Sequence, residues 1–367
     1  MDSDILNTSR SPELQFSKYF LLSLLLFLKK MPLKVVVVGS GGVGSMAAYA
    51  LSLNAETTAI VRSDYNQVSK HGFSIESVDY GTIESFMPQH VVPSIGEAAK
   101  QGPYDFIVVT TKNTPDISKG EELIEPLVGA ESTIVLVQNG IDIGAPYVAK
   151  YPQNVVLSGV SMISSTNYGG KITHVGHDEL MVGYFTNPNL PVEPQESAAK
   201  SFVRLYKNAH NDCVYDENVK YTRWRKLVYN ATLNTICSLT GVDVGRLELF
   251  GGMDMVRTAM REVLAAAKSD GVDLPESIME FMIRSDDGNY YAPLMLVDIR
   301  KGNYIELEVI LGNAVRIAER NGVAVPTLSL VYKLLAVVQK STMEAKGAID
   351  VPKERPVPSK NGSTNGI

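Results

Sequence analysis

The apolar positions in the first half of the chain fall in short unbroken runs. Four of them, VVVV (Val35–Val38), TTAIVR (Thr57–Arg62), DFIVVTTK (Asp105–Lys112) and TIVLVQNG (Thr133–Gly140), are rich in β-branched residues and stand at α/β spacing. Continuous runs predict strands covered on both faces, as in a parallel sheet. From Leu157 to Tyr184 the pattern alternates around Gly169-Gly170, which predicts a hairpin at the edge of the first domain. Val192–Ala209, opened by Pro194, carries an amphipathic helical period. After Asp216 the chain reads as helical: Glu217–Leu239, Leu249–Ser269, Pro275–Ile283, Leu294–Asn321 and Leu328–Ala345, broken by Gly271, Gly288 and Pro326. The boundary between the two regimes is drawn at residue 216.

The first run leads into a glycine turn. LKVVVVGSGGVGSMAAYALSL places a strand before Gly39-Ser40-Gly41-Gly42-Val43-Gly44 and an Ala-rich helix after it. In this spacing Gly39 tightens the turn, Gly41 lets backbone approach a pyrophosphate, and Gly44 lets helix pack on strand. The helix N-terminus adds free N–H groups for the phosphates. The predicted fold class is thus α/β: an N-terminal Rossmann-type doubly wound sheet over 31–216, then an all-α C-terminal domain over 217–350. An NAD site usually carries Asp or Glu at the end of the second strand, but here Arg62 stands there, followed by Ser63. A guanidinium suits a 2′-phosphate, so the expected cofactor is NADPH/NADP. Lys112 and Asn139, at the carboxyl ends of later strands, face the crevice where such sheets bind ligands.

In the second half one stretch is unusual. WRKLVYNATLN (Trp224–Asn234) lies in a segment without Gly or Pro, and a single helix there would put Lys226, Asn230 and Asn234 in file at i, i+4 and i+8. Such a file can wall a small anionic substrate or can be an exposed polar face. Further on, Glu306 and Glu308 flank Leu307, and on a helix they would lie about 200° apart, so at most one serves a shared site.

Composition narrows the partners. The 367 residues are 45% hydrophobic and 20% charged with a formal net charge of −6 and no dense basic block, which argues against nucleic acid. Cys213 and Cys237 are too few for a disulfide framework, and a reduced, cytoplasmic setting fits them. His174 and His177 fall in a strand-like run where i and i+3 point apart, so they read as structural or solvent-facing and no metal is expected. The apolar run Tyr19–Leu28 is short for a bilayer span, and Asp2, Asp4 and Glu13 before it suit neither a signal nor a transit peptide. Residues 1–30 read as an extension outside the fold, with no stable membrane insertion and a sorting role left open. The Pro/Ser/Asn/Gly-rich tail 351–367 reads as disordered. The sequence sets no oligomeric state, and a homodimer is compatible with it.

Together these pieces resemble the ketopantoate reductase family (2-dehydropantoate 2-reductases) over most of Leu33–Ala345. The resemblance is carried by GSGGVG, Arg62, Lys112, QNG (Gln138–Gly140), WRKLVYNATLN, MLVDIRKGNYIELE (Met295–Glu308) and GVAVPT (Gly322–Thr327), in that order. It implies NADPH-dependent reduction of a 2-oxo acid, as in pantothenate synthesis, in a cleft between the two domains. By motif position Lys226 is similar to the family's general acid, and Asn230, Asn234 and Asn139 to its substrate contacts. Lys112, Asn139, Ser165 and Glu306 match cofactor contacts, with Glu306 also counted in the catalytic set. A lysine donates near neutral pH only if burial or a nearby cation lowers its pKa, whereas Glu306 beside it would raise that pKa. Two positions depart from the family: a substrate-binding serine is Leu294 here, and a substrate-binding asparagine is Val244. They leave open a paralogous reductase of another 2-oxo acid or ketone, and a non-catalytic NADPH sensor is the remaining alternative.

Overall fold

A computed structural model describes residues 32–355. The extension 1–30 and the tail beyond residue 355 lie outside the described residues. The strands are β1 (Lys34–Val38), β2 (Glu56–Ile60), β3 (Phe73–Ser77), β4 (Gly81–Phe86), β5 (His90–Val92), β6 (Phe106–Val109), β7 (Thr133–Leu136), β8 (Val156–Ser161), β9 (Ser164–Tyr168), β10 (Lys171–Gly176), β11 (Glu179–Tyr184) and β12 (Asp212–Tyr215). Eight of them form one sheet in the order β12-β11-β8-β7-β6-β1-β2-β5. From β8 to β5 every pairing is parallel, as the unbroken apolar runs predict. The chain winds from β1 to β2 on one side and returns to β6 on the other. The crevice between the carboxyl ends of β1 and β6 is the switch point at which such sheets take ligands.

Among the described residues the helices are α1 (Gly42–Ser52), α2 (Tyr65–His71), α3 (Ile95–Ala99), α4 (Gly120–Leu123), α5 (Ala145–Lys150) and α6 (Val192–Tyr206) around the sheet. After β12 come α7 (Val219–Asn230), α8 (Leu233–Thr240), α9 (Val244–Leu249), α10 (Met253–Ser269), α11 (Ser277–Arg284), α12 (Leu294–Arg300), α13 (Asn313–Arg320) and α14 (Pro326–Ala345). Alternate strand residues feed two cores. Val35, Val37, Phe106 and Val108 pack with α1 and α6. Val36, Val38, Ile107, Val109, Ile134 and Leu136 belong to the cluster that runs on through Trp224 and Leu227 into the helices of the C-terminal half. One face of the sheet is therefore continuous with the helical core, which holds the crevice and α7 in fixed relation.

Three expectations change. The alternating segment Leu157–Tyr184 is four strands shared between two sheets, not one edge hairpin. β8 and β11 pair antiparallel in the main sheet, while the β9–β10 hairpin joins a second sheet in the order β4-β3-β10-β9. That sheet needs β3 and β4, short half-exposed strands with little apolar signal of their own. The predicted helix Glu217–Leu239 breaks between Asn230 and Leu233: the Thr232 hydroxyl donates back to the Val228 carbonyl at 2.5 Å, and Thr232 leaves helical backbone at φ −122°, ψ −78°. The predicted element Leu294–Asn321 is also divided. α12 ends at Arg300, Glu306 precedes the next helix, and a π-turn over Glu308–Gly312 leads into α13. His174 is buried against Ser77, and His177 sits half-exposed on Asp79 and Asp212, the structural roles expected of them. Cys213 and Cys237 are buried free thiols. No helix of the described residues is long and apolar enough to cross a membrane.

Candidate active site

The glycine turn sits at the head of the crevice. Gly39 adopts φ +109° and is held by the Thr110 hydroxyl, which donates to its carbonyl at 2.8 Å. At Gly44 a Cβ would come within 1.9 Å of the Gly39 carbonyl oxygen, so the helix packs on the turn only with glycine there. A Cβ on Gly42 would come within 2.1 Å of the Ser165 carbonyl oxygen, because β9 lies directly across the N-terminus of α1. Gly41, by contrast, faces open space. Among the described residues no side chain caps α1. The Ser165 hydroxyl is buried without a hydrogen-bond partner among the described residues. Open helix N–H groups, room at Gly41 and an orphaned hydroxyl beside them fit a dinucleotide pyrophosphate. Asn167 ties β9 down by donating to the Ser40 carbonyl at 2.6 Å and to Asp64 at 3.2 Å. Ser40 and Val43 thus lie in the turn that β9 covers. Arg62 is exposed just past β2, and its guanidinium makes no ion pair among the described residues.

Across the crevice, Lys226 projects from α7 onto the carboxyl ends of β7 and β8. Its amine donates to Asn139 Oδ1 at 3.0 Å and to the Ser161 carbonyl. Asn139 in turn donates through Nδ2 to Glu306 at 3.2 Å. Glu306 also accepts from the Asn113 backbone N–H at 2.9 Å. The three functional groups thus form a chain: Asn139 carries the hydrogen-bond link between Lys226 and Glu306, and the carboxylate reaches the amine directly only through its charge. Glu308 faces away, pairing with Arg316 and Tyr332.

Electrostatics at Lys226 answer the question the sequence left open. Burial, the Arg223 guanidinium and, against them, Glu306 bring its pKa down to about 8. Burial raises the Glu306 carboxyl above its ordinary range, opposed by its hydrogen bonds to Asn113 and Asn139 and by Lys112.

Asn230 ends α7 one turn above Lys226. It lines the same small cavity with Gln138, Asn139, Gly140, Arg223 and Lys226, and its amide makes no hydrogen bond among the described residues. Asn234 does not continue the file, since it belongs to α8 beyond the break. Its Oδ1 accepts from the Met295 N–H at 2.9 Å and so caps α12. Lys112 is half-exposed and pairs with Asp298 on α12, across the crevice. Leu294 is 58% exposed at the start of α12, and Val244 is buried at the start of α9. Arg223, absent from the sequence reading, is buried one turn before Lys226. The only signal for it was a second basic residue at i−3.

Two family models match the chain: "Ketopantoate reductase PanE/ApbA" over residues 35–187 and "Ketopantoate reductase PanE/ApbA C terminal" over residues 218–339. An uncharacterized protein of Saccharomyces cerevisiae is 42% identical over 350 residues, covering 86% of this chain and 96% of its own. Among solved structures, 2-dehydropantoate 2-reductase from Methylococcus capsulatus superposes with a TM-score of 0.71 at 32% identity, covering 84% of this chain and 98% of its own. D-mandelate dehydrogenase with NADH and anilino(oxo)acetate shares the fold at a TM-score of 0.71 and 21% identity, covering 84% of this chain and 100% of its own. With both halves matched in order and the crevice built as a nucleotide site, the chain belongs to the ketopantoate reductase family and is a nicotinamide-dependent oxidoreductase acting on CH–OH groups.

Proposed function

We propose that the chain reduces a 2-oxo acid to the 2-hydroxy acid with NADPH, ketopantoate to pantoate in pantothenate synthesis being the first substrate to test. The observation that carries this reading is Lys226, half-buried in a cavity with amide neighbours and with its pKa lowered to about 8. When bound, the dihydronicotinamide supplies the hydride. Lys226 Nζ meets the charge that develops on the carbonyl oxygen and transfers a proton to it, help worth on the order of 10²–10⁴ in rate. Asn139 aims the ammonium, and Asn230 offers an uncharged donor for the substrate carboxylate or hydroxyls. Asn234 is assigned to the same wall through its remaining N–H donors, its oxygen being engaged by Met295. The glycine turn, Arg62, Lys112 and Ser165 are assigned to the cofactor, with Asn139 and Glu306 near its reactive end, and the division of labour between halves falls near residue 216.

A second reading, a reductase of a different 2-oxo acid, draws on Leu294. This exposed leucine lies beside the Asn234–Met295 bond, where the family pattern has a hydroxyl. NADPH oxidation against a panel of 2-oxo acids separates the readings. Highest kcat/KM for ketopantoate supports the first, and a preference for a less polar 2-oxo acid supports the second. No turnover with any of them defeats both.

A further inference from the structure

Arg223 is 4% exposed, and no carboxylate pairs with it among the described residues. Its guanidinium is satisfied by neutral acceptors alone. Nε donates to the Ser158 hydroxyl at 2.6 Å, Nη1 to the carbonyls of Gln138 at 3.0 Å and Gly140 at 2.9 Å, and Nη2 to those of Leu136 at 3.4 Å and Gly159 at 3.3 Å. The Phe185 ring lies 5.1 Å from Cζ on another side. All the donors of the fork are used, yet the charge is not neutralised. An unpaired buried cation is costly, and fastening carbonyls alone does not need one.

We propose that Arg223 is a positioning residue for the reaction, a fixed charge pinned to the ends of β7 and β8 one helical turn from Lys226 that keeps this lysine ready to give up its proton. The inference rests on Lys226 being the proton donor. Two pieces of geometry support it. Arg223 and Lys226 are at i and i+3 on one face of α7 and line the same cavity. In addition, Arg223 grips the carbonyls on both sides of Asn139, the residue that accepts from the Lys226 amine, so one side chain sets both the charge and the acceptor. The charged groups facing Lys226 are Arg223 on its own helix and, from the segment before α13, Glu306, with the Lys112–Asp298 pair beyond that carboxylate. Burial disfavours the Arg223 charge, but a guanidinium with every N–H donating keeps its proton in a protein, so the charge persists across the pH range of the test.

The test is trace acetylation of the full-length protein with acetic anhydride across pH, reading Lys226 by mass spectrometry, because only the free amine reacts. Run beside the kcat–pH profile, it is applied to the parent and to R223K, R223Q and R223M. The expected result is half-labelling near pH 8 in the parent and in R223K, with R223Q and R223M displaced upward by about one pH unit or more. The alkaline limb of kcat should move in step. Neutral variants that keep the parent midpoint, or an R223K midpoint displaced as far as theirs, would overturn the proposal. Should the neutral variants fail to fold, the parent alone still decides against it by labelling at the ordinary lysine value. Loss of the proton-donor reading shows separately, as a K226M enzyme that keeps its kcat whatever the labelling midpoints are.

Discussion

Lys226 and Asn139 are joined by a 3.0 Å hydrogen bond in which the amine donates and the amide oxygen accepts. The other end of the amide donates to Glu306, so only one orientation of Asn139 satisfies both neighbours. The asparagine is therefore an insulator as well as a tether. It aims the ammonium while keeping a carboxylate from touching it. N139A should lower kcat by about 10²-fold, the lower end of a general-acid contribution. N139D should place a carboxylate on the amine and move the alkaline limb of kcat upward. Steady-state kinetics across pH checks both, and an unshifted limb in N139D would count against the insulating role.

Reduction needs Lys226 protonated, and its pKa is brought down to about 8. Activity in the reducing direction should therefore hold below that pH and fall as pH rises through it. The linkage to stability has the opposite sense. A lysine whose folded pKa lies below its unfolded value destabilises the fold while it is charged, and this cost fades as pH rises through about 8 toward the unfolded value. K226M should accordingly melt higher than the parent at pH 6, with the gap closing at alkaline pH. A lower Tm for K226M at pH 6 would contradict the burial of the charge.

Asn230 and Asn234 resemble each other in the sequence and differ in the fold. N234A removes the acceptor for the Met295 N–H and should destabilise the protein by about 1 kcal/mol, the usual worth of a helix cap. N230A breaks no hydrogen bond among the described residues, so its Tm should stay at the parent value while kcat/KM falls. Chemical denaturation beside kinetics separates the two, and equal losses of stability would erase the distinction.

At the cofactor end, Arg62 is exposed with no ion pair among the described residues to give up. R62A should weaken NADPH by roughly 10–100-fold, the scale of a charge-assisted hydrogen bond set, and leave NADH within a few-fold. Titration of both cofactors by fluorescence measures this. Parallel losses would show that Arg62 supports the turn and not a 2′-phosphate.

The strand–glycine–helix unit was legible because its chemistry is local. Val35–Val38, the turn at Gly39–Gly44 and α1 are contiguous, and each residue type there has one steric reason. The apolar runs likewise disclosed β6 and β7. What escaped was either faint or distant. β4 exposes much of its surface and pairs only with β3 among the described residues, and β3 in turn gains its second partner from β10, nearly a hundred residues on. The break in the Lys226 helix has no glycine or proline to announce it and falls at Thr232, whose hydroxyl donates back to the Val228 carbonyl. The Asn139–Glu306 bond spans 167 positions, and Arg223 acquires its acceptors only when β7 and β8 lie side by side. Motif order placed Lys226, Asn139 and Glu306 in one site. Only the fold shows that the amide stands between the two charges.

The most direct measurement is stopped-flow oxidation of NADPH with saturating 2-oxo acid by K226M beside the parent, with NADPH affinity measured on the same samples. Lys226 lies across the crevice from the glycine turn, and among the described residues its amine bonds only Asn139 and the Ser161 carbonyl. The account predicts kcat lowered by about 10²–10⁴ with the NADPH Kd unchanged. A K226M enzyme that turns over within a few-fold of the parent would contradict it.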